Sequence, residues 1–123
     1  MRNRGFTVIE LLVVLAAIGL LLGVAAPRYV AHLDHARETV LRQDLRQLRD
    51  AIDKFYGDQG RYPANLEELV KQRYLRALPE DPITQRVDSW RVVAPTNGAA
   101  GAVFDVHSGA PGNARDGSAY AGW

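Results

Sequence analysis

Cysteine is absent from the sequence, which excludes disulfides, thiolate-ligated zinc and thiol catalysis. This absence does not assign a compartment, since an exported protein need not carry a disulfide. Neither sign of charge is in excess: 15 Lys and Arg against 14 Asp and Glu leave a formal net charge of +1. That balance removes the bulk attraction on which nucleic-acid binding depends, so no nucleic-acid partner is expected. Catalytic constellations are missing too. No Ser-His-acid set or phosphate-cradling glycine loop emerges, and Glu67-Glu68 and Glu80-Asp81 are adjacent residues whose side chains diverge. An enzyme is therefore not expected. The 123 residues leave room for one small domain.

What the sequence does have is one concentrated apolar block. From Leu11 to Ala26 every residue is apolar or glycine, and from Phe6 to Ala26 only Thr7 and Glu10 are polar. As a helix these residues span about 31 Å, the thickness of a bilayer's hydrocarbon core. Arg2 and Arg4 precede the block, so the positive-inside rule places the amino terminus in the cytoplasm and everything after Pro27 across the membrane. A secretory signal peptide cut after Val24-Ala25-Ala26 is the competing reading. Such a peptide has no use for Glu10. A carboxylate at mid-membrane costs roughly 2.5–3.5 kcal/mol on insertion scales, less near the interface, and an intramembrane charge is a functional candidate by default. Cleavage between Gly5 and Phe6 would create an α-amino group four residues before Glu10, about 6 Å of helical rise away. Glu10 could then offset its own terminus or, between staggered chains, a neighbour's.

The stretch "RGFTVIELLVVLAAIGLLLGVAAP" resembles the class III signal of type IV pilins and of the pseudopilins of type II secretion. Gly5, Phe6 and Glu10 match that pattern residue for residue. The resemblance implies a leader over residues 1–5, cleaved after Gly5 by a prepilin peptidase that also methylates the Phe6 amino group. It implies a transmembrane and assembly helix over 6–26, in which Glu10 recruits the subunit into a helical filament. Gly19 and Gly23 form a small-xxx-small pair that permits close helix approach, though glycine is also simply common in membrane helices. The Gly19–Pro27 stretch matches the segment that loosens in assembled filaments of the family. Pro27 would break a helix in water and is tolerated in a membrane.

Beyond Pro27 the apolar residues Leu33, Val40, Leu41, Leu45, Leu48, Ile52, Phe55 and Tyr56 recur with helical spacing between charged residues. An amphipathic helix over 28–57 is predicted, ending near Gly57 and continuous with the first, roughly 76 Å in all. Glu38 and Arg42 make an i,i+4 pair, and the mixed charges are expected to be a solvated face. His32 and His35 are three apart, but no third metal ligand is identifiable. Asn65 is the expected N-cap of a short helix, with Glu68 three residues on. Strands Trp90–Ala94 and Ala102–Val106, joined around Thr96-Asn97-Gly98, form an antiparallel hairpin. The fold class is α+β: a long N-terminal helix packed on a small antiparallel sheet with a C-terminal loop, residues 27–123 forming the globular domain.

The order of "RYP", "LPEDP", "FDVHSGAPG" and a final Trp is similar to the major pseudopilin family, protein G, of type II secretion. That resemblance implies a homopolymer built with other pseudopilins on an inner-membrane assembly platform, single-pass, with its globular part in the periplasm. A pilin of a type IV pilus or a DNA-uptake filament is the alternative. A periplasmic binding protein released at Ala26 is the reading from another class. Relatives bind Ca²⁺ in the C-terminal loop, and the donors here would be Ser108, Asp116 and Asp105. The chain departs from the family at Gly109-Ala110-Pro111-Gly112, where one carboxylate is missing. The other reading is a glycine turn pinned by Tyr120 and Trp123.

Overall fold

The computed structural model describes residues 5–123. Residues 1–4, with Arg2 and Arg4, part of the leader expected over 1–5, lie outside the described residues. In chain order the elements are α1 (Val8–Gln59), α2 (Leu66–Lys71), β1 (Arg91–Val93), β2 (Asp105–His107) and a 3-10 turn at Tyr120–Gly122. The chain divides into two compact units, one ending at Asp34 and one running from His35 to Trp123.

In the first unit α1 opens on a capped turn. Thr7 Oγ1 accepts the Glu10 N–H at 3.2 Å, and the Thr7 carbonyl accepts the Leu11 N–H at 3.2 Å. Thr7 is thus the N-cap and Glu10 the N3 residue, the capping-box spacing, and the carboxylate sits in the first turn where the helix dipole favours it. The helix then runs without a break through Gly19, Gly23 and Pro27. The large apolar side chains described in this unit are all exposed, from 93% for Phe6, just ahead of the helix, to 39% for Leu33. The helix's most apolar 18-residue window has a mean hydropathy of 2.8, enough by length and composition to cross a membrane.

In the second unit α1 presents a buried stripe of Leu41, Leu45, Leu48, Ala51, Ile52 and Phe55, at the spacing of one helical face. Leu66, Leu69, Leu75, Trp90, Val103, Val106 and Tyr120 complete the core with it. Leu33, Val40 and Tyr56, expected on the stripe, are exposed. The helix runs two residues past Gly57, to Gln59, because the left-handed backbone needed to end it is supplied at Gly60, φ +70°. Asn65 caps α2 as expected, its Oδ1 accepting the Glu68 N–H at 2.9 Å. The Glu68 carboxylate reaches back one residue further than a standard capping box, to Ala64 N–H, and pairs with Arg61 at 2.7 Å.

The sheet is antiparallel, with Arg91 opposite His107 and Val93 opposite Asp105. The second strand lies three residues later than its predicted start. The Ala102 and Val103 N–H groups bond the Pro63 carbonyl, both at 3.0 Å, and Tyr62 N–H bonds Ala100 O, so this stretch is spent on the loop before α2. Two glycines are required by close approach. A Cβ on Gly101 would stand 2.1 Å from Tyr62 O, and one on Gly109 would stand 1.9 Å from Ser89 O.

Candidate functional site

The amino-terminal residues singled out by the sequence fall on one short segment. Gly5 and Phe6 precede the helix in non-helical backbone, and Phe6 is almost fully exposed. Helical backbone would hide the Gly5–Phe6 peptide from a protease cleft; this bond lies before the first turn. Glu10 follows one turn into α1. Thr7, which sequence reasoning passed over, belongs with them, and the Thr-x-x-Glu spacing was its signal. Gly19 and Gly23 stand one turn apart, and an added Cβ at either would meet nothing within 4 Å. Pro27 has no N–H to give the Gly23 carbonyl, yet the helix holds its course through it. The loosening that the resemblance attaches to Gly19–Pro27 is absent from this single subunit.

The C-terminal loop residues each meet a different partner, Asp105 and Asp116 an arginine of the second half of α1 and Ser108 the Asp81 carboxylate. Asp105 Oδ1 accepts Arg49 Nε at 2.9 Å and the Val106 N–H at 2.7 Å. Ser108 is fully buried and donates its hydroxyl to Asp81 Oδ2 at 2.6 Å, while accepting the Ala110 N–H at 3.1 Å. Asp116 is exposed, accepts both the N–H (2.9 Å) and the hydroxyl (2.5 Å) of Ser118, and lies 3.7 Å from Arg42. The Ser118 bonds chiefly, with the Arg42 charge behind them, hold the Asp116 carboxyl below its usual range. Among the described residues no three His, Cys, Asp or Glu side chains converge on a point that could hold a metal ion. His32 and His35 are exposed.

The charged face of α1 is less solvated than expected. Glu38 is buried, its Oε1 accepting the Arg115 N–H at 2.8 Å and the Tyr120 hydroxyl at 3.1 Å. It therefore serves the C-terminal loop rather than the i,i+4 pair with Arg42. Arg49 donates from Nη2 to the carbonyls of Val106 and Trp123, both at 2.9 Å, besides holding Asp105. The Arg42 guanidinium lies 4.1 Å over the Trp123 ring, whose Nε1 donates to Ser118 Oγ at 2.9 Å. Sequence reasoning missed Glu38, Arg49 and Asp81 in these roles, because their partners lie far along the chain and leave no local spacing to read.

Comparison with known proteins matches residues 1–26 to the prokaryotic N-terminal methylation motif. The type II secretion system core protein G of Pseudomonas aeruginosa is 33% identical over 97 residues, covering 66% of this chain and 68% of the relative. That of Klebsiella pneumoniae is 31% identical over 97 residues, covering 66% and 69%. The type IV major pilin protein PilA of Myxococcus xanthus is 36% identical over 68 residues, covering 55% of this chain but 31% of the pilin. No solved structure matches the chain.

Proposed function

Because the chain belongs to the family of the type II secretion system core protein G, we propose that it is the polymerising subunit of a secretion pseudopilus. That it is a pilin-like filament subunit rests on the methylation motif and on both sets of relatives. In the finer reading a prepilin peptidase cuts between Gly5 and Phe6 and the new Phe6 amino group is methylated. The helix over 6–26 then holds the subunit in the inner membrane, amino terminus cytoplasmic and globular domain periplasmic. Subunits polymerise with one another and with other pseudopilins on an inner-membrane assembly platform, and filament growth drives exported proteins across the outer membrane. The role is structural, and no catalytic step is assigned to this chain.

The observation that carries the reading is the unbroken α1 segment whose large apolar side chains from Val8 to Val30 are all exposed, with one carboxylate in its first turn. A water-soluble fold does not leave such a surface bare, so lipid or neighbouring helices must cover it. When they do, Glu10 loses its water, and a charge in such surroundings needs a partner. The positive Phe6 terminus of a staggered neighbour supplies one. A helix entering with the wrong stagger leaves both charges unpaired, so the pair sets register.

The resemblance to the Myxococcus xanthus pilin supports a second reading, a type IV pilus or DNA-uptake filament; a long surface fibre instead of a short periplasmic one would favour it. The intact mass and amino-terminal sequence of protein taken from native membranes test the common ground. A start at N-methylated Phe6 is expected, and a start at Pro27 would overturn the filament reading. Glu10→Ala should then leave the subunit in the membrane while lowering filament yield by at least about tenfold, the effect of 1.4 kcal/mol per added subunit.

A further inference from the structure

We propose that the cation closing the C-terminal loop of this chain is the Arg49 guanidinium, and that the loop is ordered without a divalent ion. The proposal concerns residues 107–123 and goes beyond the filament reading.

Calcium takes six to eight oxygens, several of them anionic, at roughly 2.3–2.6 Å. Most of the oxygens that could be offered here already accept hydrogen bonds. The Asp105 carboxylate and the carbonyls of Val106 and Trp123 are a carboxylate and two backbone oxygens, the donor types such an ion selects. All three accept hydrogen bonds from Arg49, each at 2.9 Å. Ser108 faces the buried Asp81 carboxylate. Asp116 spends its Oδ1 on Ser118, and its Oδ2 faces Arg42.

Charge points the same way. Asp105 and Asp116, the two carboxylates among these donors, each have a guanidinium beside them, which weakens the attraction they would offer a doubly charged ion. A planar fork that delivers three hydrogen bonds also does geometrically what an ion's coordination sphere would do. It ties β2 and the final residues to α1. Two further ties act alongside: Glu38 to Arg115 and Tyr120, and Arg42 stacked on Trp123. Pro111 restricts the loop's backbone and offers no side-chain oxygen.

Amide hydrogen exchange of residues 108–122, read by mass spectrometry on the full chain in detergent micelles, tests this. Wild type is measured in millimolar calcium chloride and again in EGTA, with melting temperature alongside. Exchange and melting should be the same in both buffers. Arg49→Met should speed exchange in this segment by about tenfold or more in either buffer, as expected for losing charge-assisted bonds. Arg49→Lys keeps the charge but not the fork, and should fall between the two; it also reads the role if Arg49→Met does not fold. Slower exchange or a higher melting temperature in calcium would overturn the proposal. So would wild-type exchange in both Arg49 variants.

Discussion

Asp81 carries its carboxylate into the interior, fully buried, and both oxygens are bonded there. Oδ1 accepts the N–H groups of Ile83 (2.8 Å) and Thr84 (3.3 Å), and Oδ2 accepts the Ser108 hydroxyl. Its charge is felt on α1, where burial first and the Asp81 charge second push the Asp44 carboxyl above its ordinary value. A carboxyl whose folded pKa lies above its unfolded one binds more protons when folded, so stability falls as pH rises from the unfolded value of 3.8 through the raised folded value. At neutral pH the fold carries that penalty in full. Asp44→Asn should therefore raise the melting temperature at pH 7, with the gain shrinking as the pH is lowered and absent well below 3.8. A gain of equal size at both ends of a pH series of melting curves would assign the effect to something other than charge. None of this was readable from the sequence. Glu80 and Asp81 look interchangeable in "LPEDP", and only the fold buries the second and leaves the first in water.

At the scale of elements, what was legible is what depends on near neighbours. The α1 stripe from Leu41 to Phe55 and the Asn65 cap follow from spacing within one or two turns. What was not legible depends on distant partners. Glu38 and Arg42 have the right spacing for each other, but an exposed helical pair is worth only a few tenths of a kcal/mol. A backbone N–H and a phenol held at a buried carboxylate outweigh that, so Glu38 turns to Arg115 and Tyr120. The strand register shifted for the same reason, with Ala102 and Val103 drawn to Pro63. In the apolar half, Gly19 and Gly23 each cost about 1 kcal/mol of helix stability relative to Ala, and no contact within the subunit requires them. If a neighbouring helix uses that open face, Gly23→Leu should leave the globular melting transition unmoved while cutting filament yield about tenfold, the effect of an interface clash of 1.4 kcal/mol. Electron microscopy and sedimentation of sheared filaments would show it. Unchanged yield would mean that the glycines are merely permitted in this helix.

On the scale of the whole molecule, the two units obey opposite rules of burial. Up to Asp34 every large apolar side chain described is exposed, and from His35 onward the apolar side chains build a closed core. Among the described residues, every core residue lies between Leu41 and Tyr120, within the second unit. The Arg49, Glu38 and Asp81 bonds are likewise internal to residues 35–123. A fragment beginning at His35 should therefore fold as a soluble monomer with a cooperative melting transition. Its only new defect is a raw helix start, whose first N–H groups lose their carbonyl partners. A lost cap costs about 1 kcal/mol, which lowers the melting temperature of a domain this size by about 4–8 °C. Circular dichroism melting and gel filtration would measure both properties. The same fragment should neither enter membranes nor copolymerise, since the exposed apolar helix and Glu10 are gone. A fragment that melted without cooperativity would show that the first unit supports the core in a way its burial does not reveal. A fragment that still joined filaments would move assembly out of the helix and into the globular surface.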